Sequence, residues 1–194
     1  MSLAWLLLAV LAATGPETDR SDPIVFPSAE VAFERGVRAC EGLYSGAYAD
    51  ERSEEVGPFT RRGFYMSGSG DEAKVNMLML SDLSHVYKAS VSGSDGGVYV
   101  VLTESLRTCR IGSFDSAPSH AGALATLTDP KSGWVAVPTT SSSAAARMQA
   151  FEKDMGNWHV VLNLSWPVVH GTGPRGLTAM ATMAASPGPA AAAP

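Results

Sequence analysis

VYKASVSGSDGGVYVVLTESLRTCRIGSF, residues 86–114, decides the fold. Apolar and β-branched residues alternate with polar ones in VYKASV, run on in VYVVLT and return in LRTCRIGSF, a pattern that predicts a three-stranded antiparallel meander. Gly93, Ser94, Asp95, Gly96 and Gly97 separate the first two strands with residues that tolerate tight-turn geometry. Cys109 then falls in the third strand.

The only other cysteine in the chain is Cys40. It lies in a stretch where Ser28 can cap a helix and where Phe33, Val37, Cys40 and Tyr44 recur at i, i+4, i+7 and i+11, one face at 3.6 residues per turn. Both cysteines are expected to face the core, so a Cys40–Cys109 disulfide staples the helix across the sheet. Closing a loop of roughly seventy residues contributes about 4 kcal/mol through loop-closure entropy. A redox-active pair would need a close C-x-x-C arrangement, and these two cysteines are far apart.

Further along, 116–128 reads as a second helix entered through Pro118, with Ala121, Leu124 and Leu127 on its apolar side. WVAVP, RMQAFEKD, WHVVLNLSW and LTAMATMAAS read as strands, whereas AKVNMLML fits a helix or a buried strand equally. In WHVVLNLSW, alternation puts Trp158, Val160, Leu162, Leu164 and Trp166 on one face and His159, Val161, Asn163 and Ser165 on the other. The expected fold is α+β: two helices on one face of a mostly antiparallel sheet of about six strands, with one disulfide.

The chain opens with an apolar run from Leu3 to Ala13 followed by small residues, the pattern of a secretory signal over 1–14. That run is too short to cross a bilayer, so no integral membrane segment is expected after cleavage, and the periplasm or the exterior is the expected location. A flexible, proline-containing segment, 15–27, leads into a single domain over 28–185, and an Ala/Pro tail occupies 186–194. The formal net charge of −5 and the dispersed basic residues argue against a nucleic-acid partner.

Signals of chemistry are sparse. His159, Asn163 and Ser165 share a strand face, and His170 lies in the loop that follows; together they mark the candidate surface site. A direct His159–Ser165 dyad fails on distance, since six residues of strand span about 20 Å. His85 and His120 stand at a strand start and a helix start. Gly171-Thr172-Gly173-Pro174-Arg175-Gly176 matches G-x-G-x-x-G formally, but neither a following helix nor a later acidic residue supports a dinucleotide site. Met77-x-Met79 and Met180-x-x-Met183 could ligate Cu(I), although thioethers more commonly fill gaps in a core. The acidic 50–55 segment lacks calcium-loop spacing, and the sequon at Asn163 lies within a strand. No metal or cofactor is expected. These features favour an exported module that binds or inhibits a protein or envelope component; a hydrolase using His159 or His170 is second and a copper carrier third.

Overall fold

The protein is described by a computed structural model over residues 24–47, 59–66, 72–78, 84–94, 96–103, 107–115, 117–139, 143–169, 173 and 176–188. The apolar leader, the 50–55 segment, Met79, His170 and 189–194 lie outside the described residues.

Helix α1 is Ala29–Tyr44, and the Ser28 side chain accepts from the Val31 amide as the cap pattern predicts. Its inner face carries Phe33, Val37, Cys40 and Tyr44 onto the sheet. The meander is present as β3 Ser84–Val91, β4 Val98–Thr103 and β5 Thr108–Ser113. Two short strands, β1 Val25–Phe26 and β2 Phe64–Met66, pair with β3. The later strands are β6 Val135–Val137, β7 Ala146–Met155, β8 Trp158–Pro167 and β9 Ala179–Pro187. Cys40 and Cys109 form the disulfide, with their Cα atoms 5.9 Å apart.

The α+β class and the antiparallel character hold, but the sheet has nine strands where about six were expected, and there are three helices where two were. The additional strands are edge segments of two or three residues, too short for a period-two pattern to register. The third helix, α2 Glu72–Leu78, is the ambiguous AKVNMLML stretch. It does not join α1 and α3 Ala121–Thr128 on their face. Those two pack over Val98, Val100 and Leu102, whereas Leu78 of α2 packs with Tyr99 and Val101, the alternate residues of the same strand. Pleating sends alternate side chains to opposite faces, so α2 covers the reverse side.

Apart from β1, which pairs in parallel with β3 and has no counterpart, the sheet order β2-β3-β4-β5-β9-β8-β7-β6 reads the same from both ends. After β1, each half runs through a helix and then a single 3-10 turn closed by a glycine in the left-handed region, Gly63 (φ 87°) or Gly133 (φ 74°). A buried aromatic, Phe64 or Trp134, follows each glycine at the approach to an edge strand. The strand registers carry the match inward. Tyr65 and Val135 pair with Lys88 and Glu152; these pair with Tyr99 and Val161, which in turn pair with Gly112 and Ala184. Two residues back from Gly112 and Ala184 stand Arg110 and Thr182, which are partners of each other. A pseudo-two-fold axis therefore passes through the Arg110/Thr182 pair, normal to the sheet.

On the helix side the match extends to the core. Val98, Val100, Leu102, Cys109 and Ile111 correspond to Val160, Leu162, Leu164, Ala181 and Met183, and all ten are buried.

Candidate functional site

The pseudo-symmetry isolates one difference between the halves. On the reverse face of the first half, Leu78 fills the space over β4 and β5, and Tyr99, Val101 and Phe114 are buried around it. Gly112 makes room for it: a Cβ there would meet Leu78 Cδ2 at 2.5 Å. The corresponding residues of the second half are Val161, Asn163 and Ala184. Val161 is half-buried, while Asn163 and Ala184 are exposed. No helix of the described residues lies over them. The second half thus presents the sheet surface that the first half buries.

Arg110 borders this open surface. Its Nε donates to Thr182 Oγ1 at 3.1 Å and its Nη1 to the Leu78 carbonyl at 3.4 Å, so it caps the C-terminal end of α2. Both acceptors are neutral. Partial burial lowers the Arg110 pKa, and among the described residues no carboxylate offsets that burial. The outer border of the open surface is acidic. There Glu152, Asp154 and His159, with Gly133, Val135 and Lys153, surround an open concavity of about 400 Å³.

The predicted site residues are brought only partly together. His159 begins β8, with Nδ1 at 2.8 Å from Asp154 Oδ1 across the hairpin and Nε2 at 3.9 Å from Glu152 Oε2. Both ring partners among the described residues are carboxylates, so the ring meets no nucleophile. Ser186, its neighbour on β9, donates instead to the His159 carbonyl at 3.3 Å. Ser165 is farther along the same strand, where its hydroxyl donates to the Met180 carbonyl at 3.4 Å. Asn163 stands between them, exposed.

Other histidines lie elsewhere. His85 is exposed on β3, and His120, at the start of α3, stacks on Trp166 with ring centroids 4.6 Å apart. Met183 is fully buried in the helix-side core, whereas Met180 joins the Leu78 cluster on the reverse face, so these two thioethers do not converge. Among the described residues no three His, Cys, Asp or Glu side chains are gathered to hold a metal ion. No helix of the described residues is long and apolar enough to cross a membrane.

Sequence reasoning found Asn163 and His159 but missed Arg110, Thr182 and Ala184. Its one available signal was the contrast between VYVVLT, apolar at successive positions and so covered on both faces, and the alternating WHVVLNLSW, covered on one. Compared with protein-family models, curated proteins and solved structures, the chain matches none.

Proposed function

We propose that the protein is an exported interaction module that binds another protein or an envelope component through the open half of its sheet. The observation carrying this reading is the inequality between Tyr99 and Val101, buried under α2, and Val161 and Asn163, which no described helix covers. An open sheet face with mixed apolar and polar side chains suits macromolecular recognition better than enclosure of a small substrate. The apolar leader and the disulfide support an oxidising compartment, the periplasm or the exterior. The test places a photo-crosslinking residue at Asn163 and, as control, at exposed Ala125 on α3, in cells expressing the full chain. A partner joined at Asn163 and not at Ala125 is expected. Equal or absent capture at the two positions overturns the reading, and recovery of the uncleaved chain from the cytosol overturns export.

A second reading, hydrolysis, draws on the Asp154–His159 pair, in which a carboxylate orients an imidazole as it does in acid–base catalysis. Turnover of an ester or amide substrate that His159→Gln abolishes would favour it over binding.

A further inference from the structure

We infer that the open half-sheet receives a short amphipathic helix from its partner, lying over the strand positions and in the direction that α2 takes on the first half, with the helix's C-terminal end against Arg110. This rests on the preceding reading, that the open face is the binding surface, and adds the occupant's form and polarity.

The docking geometry is already present within the chain. In α2 a leucine descends onto a strand position with no side chain, Gly112, and the last carbonyl of the helix meets the Arg110 guanidinium. Across the pseudo-two-fold, Gly112 corresponds to exposed Ala184, whose methyl would meet a leucine seated as deeply as Leu78, so an incoming helix takes the place and direction of α2 but stands higher above the sheet by the depth of that methyl. Tyr99 corresponds to Val161, an apolar flank. Arg110 lies on the axis itself, beside its own counterpart Thr182, and therefore borders both halves equally.

Charge settles the polarity. Arg110 has Nε and one Nη1 hydrogen engaged by neutral acceptors, which leaves Nη2 without a described partner. A guanidinium with spare donors favours the negative end of a helix dipole, or a free α-carboxylate, over a helix N-terminus. Glu152 and Asp154 at the opposite border disfavour that negative end there and accept a base from the helix flank. The occupant is thus a helix with a leucine-sized side chain in its last turn, a C-terminal end lying over Arg110 and Thr182, and a Lys or Arg toward β7.

The probe is a synthetic alanine-based peptide of about twenty residues, beyond the ~12–15 at which isolated helices are marginal in water, ending in Val-Asn-Met-Leu with a free carboxylate, its helicity checked by circular dichroism. It is titrated into the ¹⁵N-labelled mature protein and followed by amide chemical shifts. Saturable shifts at Val161, Asn163 and Ala184 are expected, with affinity about tenfold weaker for the C-terminally amidated peptide, the loss of one charge-assisted contact. Ala184→Glu is expected to abolish those shifts while leaving the rest of the spectrum in place.

Absence of saturable shifts, or shifts confined to the α1/α3 side, overturns the proposal. Equal binding of amidated and free peptides overturns the assigned polarity. Dimerisation through this face in sedimentation would make a second copy the occupant and overturn it too. If the Asn163 crosslink forms while the peptide does not bind, the binding surface stands and only the helical occupant fails; if neither occurs, both fail.

Discussion

Arg110 and Thr182 face each other at the centre of the sheet, the guanidinium Nε donating to the threonine hydroxyl at 3.1 Å, on the axis that relates one half of the fold to the other. The same guanidinium reaches the last carbonyl of α2, so a single side chain ties the seam between the halves to the only described helix on the reverse face. Arg110→Ala removes both bonds and exposes the α2 end. A loss of about 1 to 2 kcal/mol in urea unfolding is expected, the size of a hydrogen bond to a charged donor less what solvent returns. Faster hydrogen exchange in α2 than in α1 should accompany it, and unchanged exchange would mean Arg110 does not hold α2.

The matched positions Gly112 and Ala184 should respond oppositely to enlargement. Gly112→Ala drives a methyl into fully buried Leu78, and overpacking of this kind costs about 1 to 3 kcal/mol. Ala184→Leu points into the open surface and should change stability by no more than about 0.5 kcal/mol. Denaturant midpoints of the two variants check both. A large loss at Ala184 would show that its surface is covered after all.

How much of this was legible depends on what each residue must satisfy. The α1 stripe, the meander and the β8 alternation could be read because burial on one face imposes a period on the side chains, and Cys40 and Cys109 each fell on such a buried row. The edge strands Val25–Phe26 and Phe64–Met66 are too short to carry a period of their own, and α2 had apolar residues at too many positions to separate helix from strand. The pseudo-symmetry was hidden for another reason. Core partners such as Val100/Leu162 and Ile111/Met183 share apolarity but not identity. Loops of unequal length also shift the spacing from Tyr65/Val135 to Tyr99/Val161 and again to Gly112/Ala184. Arg110 as a border residue followed only from strand order, which the sequence does not state.

The disulfide joins two elements of the first half and has no counterpart in the second. Cys109 corresponds to Ala181, equally buried, so alanine is sterically compatible with that strand position. The double variant Cys40→Ala/Cys109→Ala should therefore fold, with stability lowered by about 4 kcal/mol, as expected for opening a loop whose ends are 69 residues apart. Wild type in reducing buffer should approach the same midpoint. A variant as stable as wild type would mean that the bridge adds nothing beyond packing.

Tyr44 sets an alkaline limit. Its ring packs in the helix-side core, and its buried hydroxyl has no hydrogen-bond partner among the described residues. Burial pushes the phenol well above its ordinary pKa of 10.0, and the Cys109 backbone, near but outside hydrogen-bond geometry, offsets this only in part. Because the folded state favours the neutral phenol, the stabilising contribution is complete below the ordinary value. It falls as pH rises above that value toward the folded one. Tyr44→Phe should equal wild type at pH about 8, or exceed it by about 1 kcal/mol, since an unpartnered buried hydroxyl is lost. It should also lose less stability above pH about 10. A residual alkaline loss is expected from Tyr87, whose phenol burial also raises. Denaturant midpoints taken across that window decide the matter: parallel curves for wild type and variant would remove Tyr44 from the alkaline transition.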